Sequence, residues 1–295
     1  GSSIRVVSAP FETVRLTPVI GAEVRGLDVT GGIDEATTDA LYRTLLEHHV
    51  LILRGRSLLP EQLEVLASAF GPLAPAHHTY PQLPGHPSVT VLDNGPDNPP
   101  DNAEWHTDLS FRPGQPFLSI LQPSLLPPVG GDTLFASLFA VHDALLPGMR
   151  ADLGDLSSVH DMGSFRTHTF QEGGVELMNE RMAEVGSAVH PMIDHHPVSG
   201  RPFVHVNECF TTHVLGMPMP EGRRLLAFLF DMINRPQFQV RVRWEKDMVL
   251  LWDNRGTQHY AADDYLPHRR VMHRVMVAED CRANGTADWH PSGGH

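Results

Sequence analysis

Cysteine is scarce in this 295-residue chain. There are two, Cys209 and Cys281, and no CxxC pair, so neither a disulfide framework nor a cysteine zinc site is expected. A reducing cytoplasm is the expected setting. No run of eighteen apolar residues occurs, which excludes a helical membrane span. The N-terminus shows no charged head followed by an apolar core, and Gly1 and Ser2 read as a cloning remnant. Basic residues are too few to offset acidic ones. The net charge of −13 argues against a general nucleic-acid or anionic-membrane surface, and any anionic ligand must be drawn in by local arginines. No HExxH, internal repeat or linker is present, so a single domain over 1–295 is expected.

What is abundant is histidine, with nineteen copies. Most are expected to be ordinary surface or loop residues, but imidazole is the commonest metal-ligating side chain.

The N-terminal part reads as strand, helix, strand, helix. Residues 34–49 have Leu41, Leu45 and Leu46 at helical spacing with Asp34 as cap. Residues 50–55 form a short buried strand, and 60–71 a helix opened by proline and closed by glycine. From 72 to 132, prolines and glycines separate short apolar runs such as "SVTVLD" and "FLSILQP", the texture of a sandwich or barrel with long connections. Residues 137–186 read as helix and loop, and 220–234 as helix. "FQVRVRW", "DMVLLWD" and "RVMHRVMVAED" read as strands, and the tail after Cys281 as weakly ordered.

Three stretches carry chemistry. In "AEWHTDLSF", His106 and Asp108 are two residues apart, so an extended backbone points both to one face. Alone, this pair is more readily an aspartate orienting a histidine. In "VLLWDNRGTQHYA", a buried strand runs into a polar turn followed by His259. Two histidines and a carboxylate are the inventory of the facial triad of non-haem Fe(II), although zinc hydrolases also use it. In "YLPHRRVMHRVMVAED", Arg270, Met272 and Arg274 share one face of a strand, with Val271, Val275 and Val277 alternating. Two arginines on one inward face are costly unless each meets an anion; a solvated edge strand is the simpler alternative.

"HTD" at 106–108, "GGDT" at 130–133, "WDNRGTQHYA" at 252–261 and an arginine eleven residues after His259 resemble the Fe(II)- and 2-oxoglutarate-dependent dioxygenases of the taurine dioxygenase type. The similarity runs from "FGPL" near 70 to "MVAED" near 280 and includes "DNPPDN", "WHTD", "GGDTL", "HPVSG" and "FQVR". The resemblance implies an α+β fold, a double-stranded β-helix (jelly-roll) core flanked by helices. It implies His106, Asp108 and His259 as Fe(II) ligands, and Thr133 and Arg270 as holders of the distal carboxylate of 2-oxoglutarate, with O₂ as co-reactant. Substrate would meet His77, Tyr80, Asn102 and Arg274, with His78 an alternative to His77, beside an apolar wall of Phe111 and Phe210. The implied reaction hydroxylates the carbon next to the sulfonate of taurine and releases sulfite and aminoacetaldehyde, with succinate and CO₂. Other sulfonates, alkyl sulfates and aryloxyalkanoates are the alternatives within the family. A zinc hydrolase and a non-catalytic binding barrel are the alternatives outside it. The family also implies a homo-oligomer, dimer or tetramer, acting on a small molecule without nucleic acid or membrane. The segment 162–186 is expected to be a mobile lid.

Overall fold

The computed structural model describes residues 10–76, 80–101, 103–163 and 165–283. Its largest element is an eight-stranded sheet. In spatial order the strands are Glu12–Arg15, Ala22–Arg25, Val50–Arg54, Met248–Asp253, Leu118–Leu125, Arg270–Val277, His86–Asn94 and Gln82–Leu83. All neighbours are antiparallel except Ala22–Arg25 against Val50–Arg54.

Strand alternation divides this sheet's side chains between two cores. Leu51, Leu53, Ile120, Leu251, Val275 and Val277 pack under helices Glu35–His48 and Pro60–Ser68. Ile52, Leu121, Leu250, Trp252 and Met272 face the other way, where they meet Phe135, Val240 and Val242. Those three come from a second antiparallel sheet of Gln239–Val242, Thr133–Ser137 and Thr257–Ala261. The space between the two sheets holds the site described below. A third sheet of Thr211–Leu215, Ser157–His160 and Ala188–Pro191, and a hairpin of Ile193–His195 with Pro202–Val204, cover one end. Helices Leu138–Ala144 and Met219–Ile233 pack there over Phe203, Val204 and Val206.

The N-terminal elements follow the sequence reading closely. Asp34 caps its helix by accepting from Thr37 N at 2.8 Å, and Pro60 opens the next. Two strands extend less far than expected, to Val242 and Val277. The region 137–186 contains three helices and also the strand Ser157–His160, whose "SSVH" carries little apolar signal. Strand Arg270–Val277 is no solvated edge. It lies inside the sheet with both faces covered, and only His273 is half-buried. Expectations for the tail and for Gly1 and Ser2 fall on residues outside those described, apart from Arg282 and Ala283. No described helix is long and apolar enough to cross a membrane.

The turn between Met248–Asp253 and Thr257–Ala261 depends on Gly256. Its φ is +75°, and a Cβ there would lie 2.2 Å from the Phe139 ring. Gly256→Ala therefore combines left-handed strain with overpacking of a buried aromatic. We expect a loss on the order of 3 kcal/mol or more, read as a fall in Tm. An unchanged Tm would mean that the turn relaxes freely.

Candidate active site

His106 and His259 come together through their backbones. His106 N donates to His259 O at 3.1 Å and His259 N to His106 O at 2.9 Å, a β-bridge joining segments 153 positions apart in the chain. Their rings lie 4.2 Å apart between centroids. Asp108 completes the group, with Oδ1 3.4 Å from Nε2 of each histidine. All three are buried, and their ligand atoms lie within 4.8 Å of one another, so the group can hold a metal ion.

Surrounding hydrogen bonds orient these atoms. His106 Nδ1 donates to Glu104 O at 2.8 Å, so Nε2 is the nitrogen that faces Asp108; it carries a lone pair when the ring is neutral and a proton when the ring is cationic. Asn254 clamps the Asp108 backbone at both ends: Asp108 N donates to Asn254 Oδ1 and Asn254 Nδ2 to Asp108 O, each at 3.0 Å. This grip precedes Leu109, which sits at φ +56°. Thr107 Oγ1 donates to Thr257 O at 2.8 Å. The turn bearing Asn254 is itself tied down, because buried Asp253 accepts from Arg255 and His196, and Arg255 continues to Asp280 at 2.9 Å.

Electrostatics favour an anionic Asp108 between the two imidazoles. Burial opposes its ionisation, but attraction from His259, the hydrogen bond from His106 and the Arg274 guanidinium outweigh it. They hold the carboxyl well below its usual range. Burial, reinforced by repulsion from His106, pushes His259 down to about 3. At His106 burial acts the same way, but the bond to Asp108 prevails and raises it. Asp108 Oδ2 has no hydrogen-bond partner among the described residues, only Arg274 Nη1 at 3.5 Å. A buried carboxylate oxygen left in this state suits a cation.

Arg270 and Arg274 both point between the sheets, as their shared face predicts, and are 6% and 9% exposed. Arg270 has no carboxylate partner among the described residues. Its Nη2 donates to Thr133 Oγ1 at 3.4 Å, a long contact, while its Nε is unpartnered. Burial lowers its pKa. Thr133 Oγ1 also accepts from Trp244 Nε1 at 2.9 Å. Gly131 makes room for the arginine stem: it sits at φ +74°, and a Cβ would lie 3.0 Å from Arg270 Cδ. A buried guanidinium without a counter-ion marks a place where an anion is wanted.

A pocket opens over the three residues. Leu92, Leu109, Phe165, Phe210 and Met276 give it apolar walls, and Tyr80, Asp101, Glu104, Cys209 and Arg274 supply polar groups. Burial raises the Tyr80 phenol. Of the wall residues expected from sequence, Phe210 lines the pocket. Phe111 is not among the lining residues but packs edge-on against Phe210, its ring centroid 5.0 Å away. His77, His78 and Asn102 lie outside the described residues. The segment expected as a lid forms helix Phe165–Val185, kinked at Gly173 and Gly174, and Phe165 at its start reaches the pocket.

Sequence reasoning missed Asn254, Glu104, Asp101, Phe165 and Cys209. Glu104 was open to the same two-residue alternation that linked His106 to Asp108. Asn254 lay inside the quoted "WDNRGTQHYA", but its target is backbone, which leaves no pattern in sequence.

Comparison with known proteins agrees with this geometry. Residues 12–276 match the family model described as taurine catabolism dioxygenase TauD, TfdA family. An alpha-ketoglutarate-dependent sulfate ester dioxygenase from Pseudomonas putida is 32% identical over 264 residues, covering 88% of this chain and 86% of the relative. An alkylsulfatase from Acinetobacter baylyi is 30% identical, covering 90% and 84%. The crystal structure of a taurine dioxygenase from Burkholderia xenovorans superposes with a TM-score of 0.77 at 28% identity, covering 92% of this chain and 90% of that one.

Proposed function

This chain belongs to the TauD, TfdA family of Fe(II)- and 2-oxoglutarate-dependent dioxygenases, and on that premise we propose that it hydroxylates the carbon bearing the sulfonate of taurine. The hydroxysulfonate collapses to sulfite and aminoacetaldehyde, while 2-oxoglutarate and O₂ yield succinate and CO₂. The observation that carries an anionic substrate beside an anionic cosubstrate is the pair of buried arginines between the sheets, one of which makes no ion pair among the described residues.

The residues present fit the cofactor. His106, Asp108 and His259 would hold Fe(II), a mixed nitrogen and oxygen set with an orphaned carboxylate oxygen. When bound, the ion supplies the redox chemistry that activates O₂. Arg270, assisted by Thr133, would hold the distal carboxylate of 2-oxoglutarate. Arg274 would grip the sulfonate, so that the adjacent C–H bond is the one presented. His77 or His78, Tyr80 and Asn102 would complete the grip, with Phe210, backed by Phe111, as the wall. The two-sheet core fits a double-stranded β-helix, in which ligands enter between the sheets.

A second reading has its own support. Leu92, Leu109, Phe165, Phe210 and Met276 form an apolar lining better suited to an alkyl tail than to a short aminoalkyl chain. The Pseudomonas putida relative is named for sulfate esters. On an alkyl sulfate the same hydroxylation gives an aldehyde and sulfate. A guanidinium does not tell sulfonate from sulfate, so tail length and polarity decide.

A panel of taurine, longer alkanesulfonates, alkyl sulfates and aryloxyalkanoates separates the readings by product. Sulfite release with taurine as the best substrate is expected. Dominant sulfate release would replace taurine by an alkyl sulfate. Absence of succinate formation with every anion tested would remove the proposal.

A further inference from the structure

Outside the active site, three buried histidines meet at the end of the molecule covered by the third sheet. His160, His190 and His205 are 0%, 6% and 3% exposed. Their ring centroids lie 4.4 to 5.3 Å apart, and one ligand atom from each lies within 4.8 Å of the others. Strand register explains the first two: His190 pairs with Ser158, and His160 is two positions further along the same face. His205 follows strand Pro202–Val204.

The hydrogen bonds around this cluster are those that orient metal-binding imidazoles. His205 Nδ1 donates to Asp194 Oδ2 at 3.0 Å, leaving Nε2 as its lone pair, opposite the side-chain amide of Gln115 at 3.1 Å. His190 Nε2 donates to Ser110 O at 2.6 Å, and a carbonyl can only accept, so Nδ1 carries its lone pair. His160 has hydroxyls at both nitrogens, Ser110 Oγ 2.9 Å from Nδ1, and Ser158 Oγ at 3.2 Å and Thr211 Oγ1 at 3.4 Å from Nε2. A hydroxyl can donate or accept, so these partners permit either tautomer of the ring. One carboxylate and one carbonyl thus set two tautomers in the manner of outer-shell partners at metal sites. Among the described residues no carboxylate joins the three histidines, so the donor set is neutral nitrogen.

We propose that His160, His190 and His205 form a second metal site, distinct from the iron site, that takes a borderline divalent cation such as Zn²⁺. Three imidazoles suit zinc, copper or nickel rather than the hard cations that need oxygen. Gln115, turned about its amide, offers Oε1 as a fourth donor. A tetrahedral ion with bonds of about 2.0–2.1 Å needs nitrogens roughly 3.3 Å apart, so the rings must close inward slightly. Its effect is structural. Through His190 it fixes Ser110, two residues beyond Asp108, against the third sheet.

The test counts metal ions on the protein. Chelator-stripped wild type and His106→Ala/His259→Ala are titrated with Zn²⁺ and with Co²⁺, and bound metal is measured after gel filtration. We expect two equivalents on wild type and one on the double variant, the latter with the strong visible absorption of tetrahedral Co²⁺. Asp194→Asn, which keeps every ligand, should weaken that remaining equivalent about 10- to 100-fold. His205→Gln should remove it. One equivalent on wild type and none on the double variant overturns the proposal. So does a remaining equivalent that ignores both Asp194→Asn and His205→Gln, because it would then sit elsewhere among the nineteen histidines.

Discussion

Asp108→Ala is expected to reduce kcat/KM by more than about 10³-fold, since loss of a mere outer-shell partner at a metal site already costs roughly 10–100-fold. Three effects converge at this residue. Its carboxylate is the only anion of the three-residue group, and its pKa is held low so that it stays charged. Its Oδ1 faces both imidazoles at 3.4 Å. Its Oδ2 is the counter-charge to Arg274, so removal also leaves a buried guanidinium uncompensated. The variant should therefore lose Fe(II) affinity, turnover and some thermal stability together. Turnover is read as succinate and sulfite formation, and far-UV circular dichroism confirms that the chain is folded. Asp108→Asn keeps the shape without the charge and should recover stability better than turnover. Near-normal turnover in Asp108→Ala would remove the triad from the mechanism.

Arg270→Met should raise KM for 2-oxoglutarate by roughly 30- to 1,000-fold, the equivalent of about 2–4 kcal/mol for a lost buried charged contact. KM for the sulfonate should move far less. The stability of the free protein makes this prediction sharper. A buried cation without a partner destabilises the unliganded state, and an isosteric apolar side chain relieves that cost. Unliganded Arg270→Met should be at least as stable as unliganded wild type, while wild type alone gains Tm on adding 2-oxoglutarate. Arg274→Met should show the converse kinetic split, with the sulfonate KM rising. That variant should lose stability, because its arginine does have a partner in Asp108. If the two kinetic patterns come out exchanged, the arginines have been assigned to the wrong anions.

Much of the site was legible because its residues obey short-range rules. His106 and Asp108 converge because alternate residues of an extended segment share a face. Arg270 and Arg274 do so four positions apart on one strand, with Met272 between them. Helix Glu35–His48 announced itself through Asp34 and the leucine spacing. The reading of 137–186 missed Ser157–His160 because that strand is short, polar and covered on both sides by strands far away in sequence. Phe111 was placed on the pocket wall by analogy; its ring packs edge-on against Phe210, which does line the cavity.

Local pattern alone determined which side chains could act and which of them shared a face, since alternation and capping involve only a few consecutive residues. Tertiary structure alone decided that His259 bonds backbone to backbone with His106, that Asn254 grips Asp108, and that among the described residues Arg270 makes no ion pair with a carboxylate while Arg274 does. It also decided that His160, His190 and His205 meet. Contacts of this kind depend on how sheets from distant parts of the chain pack, and that depends on burying both faces of each strand at once, a constraint that no short window of sequence contains.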